Sequence, residues 1–173
     1  MIMNTVLETK EVWKGCREAN GVFRWVLKKI NLEFMEGEFV SILGNPAGGK
    51  STLLKILGFL TPPDRGEVYF QGRLIGETGG KELEQMRVDK VWSVSSSLPI
   101  QTPPKDLAAV LLDKPVNLLK SNPNNSLLAQ IRHFNSLGIT VVMATQDPAV
   151  AAYATSIYKL SEGEAVKLNG NVK

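Results

Sequence analysis

FVSILGNPAGGKSTLLKIL, residues 39–57, joins an apolar β-branched run, a glycine-rich turn and an amphipathic segment without a break. Phe39 to Leu43 reads as a buried β-branched strand, with a turn at Glu36-Gly37 before it. Leu53, Leu54, Ile56 and Leu57 fall on one helical stripe, which predicts a helix from Lys50 to Phe59. Between them GNPAGGKST, Gly44 to Thr52, satisfies G-x-x-x-x-G-K-[ST], with Gly44, Gly49, Lys50 and Ser51 at the defining positions. The motif also has the context that gives it meaning, after a buried strand and opening a helix.

The chemistry follows from the residue types. Glycines at 44, 48 and 49 let the backbone curl so that its N–H groups face a phosphate chain, and the helix N-terminus adds partial positive charge. Gly44, Asn45, Ala47, Gly48, Gly49, Lys50, Ser51 and Thr52 therefore form the predicted nucleotide-binding loop. Lys50 is placed to reach the β- and γ-phosphates, and the Ser51 hydroxyl to ligate Mg²⁺. Pro46 lacks an N–H and withholds one donor from this cradle.

Working outward, Val6 to Trp13 and Val22 to Phe34 read as strands parted by the polar KGCREANG, and TPPDRGEVYFQGRLIG as turn, short strand and turn. KELEQMRV is a short polar helix and KVWSVS a strand. SSLPIQTPPKD, with three prolines in eleven residues, must be loop. The strand Leu107 to Leu112 follows, then a helix capped by Asn125 or Ser126 and running to about Leu137. GITVVMAT is a buried strand, Asp147-Pro148 a helix start, and SIYKLSEGEAVKL a hairpin turning at Glu162-Gly163. The pattern predicts an α/β domain with a mostly parallel sheet flanked by helices, plus an antiparallel β layer contributed by both termini.

Composition bounds the setting. At 173 residues, 43% hydrophobic and 21% charged, the chain is most simply one soluble domain, residues 1–173. A net charge of +3 gives no basis for expecting a nucleic-acid partner. Cys16 is the single cysteine, which excludes internal disulfides and fits a reducing compartment. The polar start lacks a signal-peptide pattern, and no apolar run approaches the ~18 residues that span a bilayer. A cytoplasmic location is expected, with any membrane association peripheral and through a partner.

AVLLDKPVN, residues 109–117, then complicates the chemistry. Four apolar residues run into Asp113, as a buried strand does when it ends at a metal-binding aspartate. Lys114 follows, where nucleotide hydrolysis would want a carboxylate.

EGEF before the strand, the phosphate loop, and PPDRGEVYFQG after it together resemble an ABC transporter nucleotide-binding domain, most closely the lipoprotein-releasing and macrolide-export branch. The resemblance covers Met1 to about Ser97 and Asp106 to about Leu168. It implies a phosphate-loop NTPase core, ATP or ADP with Mg²⁺ as cofactors, a homo- or heterodimer with another such ATPase subunit, and a membrane permease partner. It also implies that Asp113 reaches Mg²⁺ beside Ser51, and that Gln146 stands in place of a histidine that contacts the γ-phosphate.

Departures from the family pattern are as informative. Lys114 replaces the glutamate that polarises the attacking water, Ser96 replaces a Mg²⁺-sensing glutamine, and Lys120 falls where an aspartate is expected. Only sixteen residues separate Ser96 from Asp113, where the family places a helical subdomain carrying L-S-G-G-Q. The adenine-stacking aromatic falls near Cys16; Trp13, Phe23 and Trp25 are candidate substitutes, though a core role suits each better.

A protonated lysine cannot accept a proton, so Lys114 is no general base. As a cation it is instead a candidate ligand of the terminal phosphate. No residue is assigned a catalytic role. Three functions stay open: a hydrolytically silent nucleotide-binding subunit with a structural or regulatory role, an active ATPase using Asp147 or a partner's residues, and a scaffold that binds no nucleotide.

Overall fold

The computed structural model describes residues 4–95, 103–115 and 126–168. Two long strands open the chain, β1 (Thr5–Arg17) and β2 (Phe23–Met35), followed by β3 (Phe39–Leu43) and helix α1 (Lys50–Leu57). Next come β4 (Arg65–Phe70), β5 (Arg73–Leu74), α2 (Gly80–Asp89), β6 (Val91–Ser95) and β7 (Ala109–Asp113). The last part adds α3 (Ser126–Ser136), β8 (Thr140–Thr145), α4 (Pro148–Ala151), β9 (Ser156–Ser161) and β10 (Glu164–Leu168).

The strands make two sheets. Four antiparallel strands run in the order β2-β1-β4-β5, and six in the order β10-β9-β3-β8-β7-β6. Within the larger sheet every neighbouring pair is parallel except β9 with β10. Its central strands are apolar on both faces because both are covered. Val40, Ile42, Ala109, Leu111, Val142 and Ala144 face a core shared with α1 and the antiparallel sheet. Val110, Leu112, Val141 and Met143 face a second core, filled by Leu127, Leu128, Ile131 and Phe134 of α3. The two-layer expectation holds, with one correction. The C-terminal hairpin extends the parallel sheet through β9 on β3. It does not join the antiparallel layer, because apolar Ile157, Tyr158 and Leu160 are buried best beside β3.

Local boundaries are explained by local chemistry. α1 stops at Leu57, two residues short of the expected end, where Gly58 caps it and Phe59 turns left-handed at φ 59°. Asp147 caps α4 as expected, accepting the Ala149 N–H at 3.0 Å. The expected caps of α3 divide: Ser126 opens the helix, while Asn125 lies outside the described residues.

The turn before β4 is tied to β1 by one carboxylate. Asp64 accepts the Gly15 N–H at 2.8 Å and the Lys14 ammonium at 2.7 Å. The Gly15 hydrogen bond, with Lys14 next, holds the Asp64 carboxyl below the usual carboxylate range. A lowered folded value means stabilisation that is complete above about pH 4 and lost as pH falls through the folded value. Asp64 is 40% exposed, so the contribution is below about 1 kcal/mol. Asp64→Asn is expected to cost that amount at neutral pH and nothing at the acid end. Urea denaturation at the two pH values checks this; an equal loss at both contradicts it.

Candidate functional site

Strand β3 ends at Leu43, paired with Thr145 of β8, and delivers the chain into the glycine-rich turn. The Gly44 N–H donates to the Thr145 carbonyl at 3.1 Å, fixing where the turn begins. Gly48 N–H donates back to the Asn45 carbonyl at 3.1 Å, and Ala47 adopts φ 57°. Gly49 sits at φ 94°, and a Cβ there would lie 3.0 Å from Val26 Cγ1 and 3.1 Å from the Val26 carbonyl oxygen. Only glycine suits that position. Asn45, Pro46 and Ala47 are exposed, whereas Gly49 and Lys50 are buried. α1 then begins with no side-chain cap and no acidic residue in its first turn. Its N-terminal N–H groups are left for an anion.

Lys50 is held at the centre of the loop. It is 4% exposed and donates to the Gly44 carbonyl at 2.8 Å and the Asn45 carbonyl at 2.6 Å. Burial pushes its ammonium below the usual lysine range, the nearby charge of Lys114 adds to this, and Asp113 opposes both. Charged groups from two places in the chain, Lys50 of α1 and the adjacent Asp113 and Lys114 at the end of β7, thus converge at one end of the sheet.

Asp113 is the last residue of β7, paired with Ala144 of β8. Its Oδ1 is buried without a hydrogen-bond partner. Asp113 and Ser51 line one cavity of about 220 Å³, with Leu54, Leu60, Ser93 and Leu111 as walls. A buried, unsatisfied carboxylate oxygen beside a hydroxyl fits a hard cation that keeps several waters and takes phosphate oxygens as further ligands. Among the described residues no three His, Cys, Asp or Glu side chains cluster to hold a metal unaided.

Lys114 follows at φ 53°, exposed, its N–H donating to the Ala144 carbonyl at 3.0 Å. Gln146 follows β8 and is exposed near the same end of the sheet. Thr52 is half-buried in the first turn of α1. The predicted loop, Asp113, Lys114 and Gln146 therefore gather at the carboxyl ends of β3, β7 and β8. Ser96 and Lys120 lie outside the described residues.

The aromatic residues correct the core expectation. Trp13 and Trp25 are half-buried and Phe23 is 48% exposed. Trp25 meets Trp13 edge-on at 5.4 Å and Phe23 edge-on at 5.0 Å, with Arg65 over its ring at 5.2 Å. The Phe23 ring crosses β1 at Gly15, where a Cβ would fall 2.2 Å from it. Phe23, Trp25, Val26 and Lys28 share a cavity of about 760 Å³ with Asn45 to Gly48 and Glu162. Aromatic surface from β2 thus stands next to the phosphate loop, beside the β1 position near Cys16. The only sequence signal was the short spacing of Phe23 and Trp25, which puts both on one side of a strand.

A glycine-rich strand-to-helix turn, a buried lysine at its end, and a strand-end aspartate sharing a cavity with the helix serine define a phosphate-loop fold. Comparison with known proteins narrows the class. The profile of the ABC transporter family matches residues 27–169, and the chain belongs to that family. An uncharacterized ABC transporter ATP-binding protein of Methanocaldococcus jannaschii, MJ1508, is 27% identical over 224 aligned positions, covering 94% of this chain and 99% of that protein. Because 224 aligned positions exceed the 173 residues here, part of that relative has no counterpart in this chain. The macrolide export ATP-binding/permease protein MacB of Haemophilus ducreyi is 24% identical over 205 positions; the match spans 84% of this chain but only 30% of MacB.

The solved structures agree on the fold. The ATP-binding cassette MJ0796, solved as a dimer in a post-hydrolysis state with ADP and Pi, superposes at a TM-score of 0.77 and 24% identity. That superposition covers 95% of this chain and 99% of that one. The chain thus has the fold of an ABC-type ATP-binding cassette. Among the described residues no helix is long and apolar enough to cross a membrane.

Proposed function

We propose that this chain is a truncated ABC cassette, residues 1–173, that binds ATP or ADP with Mg²⁺ and does not turn it over. The single observation that carries the reading is the pair Asp113-Lys114. A buried carboxylate oxygen is available to a metal, and the next residue is an exposed cation whose charge acts on Lys50 of the phosphate loop.

The chain's residues divide by role. The loop backbone from Gly44 to Gly49 and the first turn of α1 hold the phosphates, and Lys50 exchanges its carbonyl partners for phosphate oxygens. Ser51 and Asp113 would hold Mg²⁺, which when bound shields the phosphate charge. Lys114 and Gln146 face the terminal phosphate as a cation and a neutral amide. Neither activates water: an ammonium has no free lone pair, and an amide is not basic at neutral pH. Losing a positioned base typically forfeits ~10²–10⁴ in rate. The purine sits in the cavity between the loop and β2, against Phe23 and Trp25.

Sequence spacing supports silence independently. Sixteen residues between Ser96 and Asp113 cannot hold a helical subdomain with the family's signature segment. A dimer of this chain then has neither signature nor glutamate at either site, and a complete partner repairs neither site fully. The role that remains is structural or regulatory in a transporter-like assembly, at the inner face of the membrane through a permease. MacB, which joins an ATP-binding part to a permease in one chain, and the dimeric MJ0796 cassette support such partners by analogy.

Calorimetric titration with Mg·ATP, alongside phosphate release on the same samples, tests the reading. The expected outcome is saturable binding without steady phosphate release. Phosphate release that rises with bound nucleotide would falsify silence, and absence of binding would leave the loop a mere turn.

A further inference from the structure

We propose that the positive charge of Lys114 makes nucleotide binding by this chain largely independent of Mg²⁺, the triphosphate being held nearly as well without the ion as with it. The inference rests on the nucleotide-binding reading above and concerns the same site.

The geometry begins with β8. Its consecutive carbonyls anchor two different segments: Ala144 accepts the Lys114 N–H at 3.0 Å, and Thr145 accepts the Gly44 N–H at 3.1 Å. Lys114 and the start of the phosphate loop are therefore pinned to opposite sides of one buried strand, two strand spacings apart, about 9.6 Å. The gap exceeds the length of an extended lysine side chain, so the Lys114 ammonium would meet a phosphate docked between the two anchors and not the loop itself. The left-handed φ of 53° at Lys114 turns the chain out of β7 at this point, and the residue is exposed. Its charge is felt at buried Lys50, which places the two ammonium groups in one electrostatic neighbourhood.

Charge accounting then decides the metal requirement. Two positive side chains, Lys50 and Lys114, stand against one carboxylate, Asp113. The site is electropositive before any metal enters. A free triphosphate is attracted to it directly, and Asp113 is offset by the two lysines. With glutamate at 114 the same site would carry one positive and two negative groups. A bare triphosphate would then be repelled until a divalent cation reversed the sign. The Ser51–Asp113 cavity still accepts Mg²⁺, but the ion adds to an excess that already exists. A phosphate that docks on buried Lys50 is also screened less by salt than a surface pair.

The test is a calorimetric titration of the full chain with ATP at fixed ionic strength, once with excess Mg²⁺ and once with EDTA, for wild type, Lys114→Ala and Lys114→Glu. Wild type is expected to bind within about 5-fold of the same Kd in both buffers. Lys114→Glu is expected to bind about 30-fold or more weaker in EDTA than in Mg²⁺, and Lys114→Ala to fall between; a tenfold step is about 1.4 kcal/mol. Circular-dichroism melts without nucleotide verify that each variant is folded. Wild-type binding that collapses in EDTA but persists in Mg²⁺ overturns this inference alone, as does an unchanged buffer ratio in Lys114→Glu. Absence of wild-type binding in both buffers overturns the nucleotide-binding reading and this inference with it.

Discussion

Lys50→Ala is expected to weaken ATP binding by about 100-fold or more while leaving the unliganded fold intact. The side chain is 4% exposed at the centre of the loop, where it donates to the Gly44 and Asn45 carbonyls. A charge-assisted hydrogen bond is worth roughly 1.5–3 kcal/mol, and a 100-fold change requires about 2.8 kcal/mol. Loss of two phosphate contacts is enough. The unliganded protein responds differently. Lys50 there is a desolvated cation satisfied only by two carbonyls of its own loop, and its removal relieves burial of a charge while freeing those carbonyls. These opposing effects leave the melting temperature within a few degrees. Thermal denaturation with and without ATP separates the roles. Wild type should be stabilised by ligand in proportion to its occupancy, and Lys50→Ala should not. A variant that melts much lower without ligand would instead make Lys50 a structural residue.

Gly66→Ala is expected to destabilise the chain by about 3 kcal/mol or more. Gly66, the second residue of β4, sits at φ 85° against the irregular part of β1 where pairing slips between Lys10 and Trp13. A Cβ there would lie 2.3 Å from the Glu11 carbonyl oxygen and 2.5 Å from that of Lys10. Both are backbone atoms within a sheet, so no rotamer change relieves the contact, and the left-handed backbone adds its own penalty. Either β4 shifts or the β1 irregularity is lost, and both expose the core at Val12 and Val68. Urea denaturation measures the loss. A change below about 1 kcal/mol would mean that the two strands part easily, contrary to their packing.

Much of this was legible because local patterns and burial coincide. Ala109–Leu112 and Val141–Ala144 are continuous apolar runs and Phe39–Leu43 is broken only by Ser41, and such runs covered on both faces lie inside a parallel sheet. The glycine-rich turn identifies itself through fixed spacing, and the meeting of Ser51 with Asp113 follows once the two strands are placed in one sheet. What escaped depends on contacts between distant segments. Nothing local in SIYKLSEGEAVKL says which sheet the hairpin joins, since its alternation suits either. The left-handed residues Glu11 and Lys29 carry no glycine to mark them, although their side chains pair at 3.5 Å across β1 and β2. Trp13 and Trp25 read as core because large aromatics usually are; here they shield each other at the surface beside the loop.

One measurement bears most directly on the claim that nucleotide is held but not consumed. The chain is incubated with a substoichiometric amount of γ-labelled Mg·ATP for several hours, denatured, and its nucleotide separated. The expected result is intact triphosphate in both wild type and Lys114→Ala, with retention lost in Lys50→Ala. Conversion to diphosphate in wild type, abolished by Lys50→Ala, would contradict the claim and make the cassette an active hydrolase.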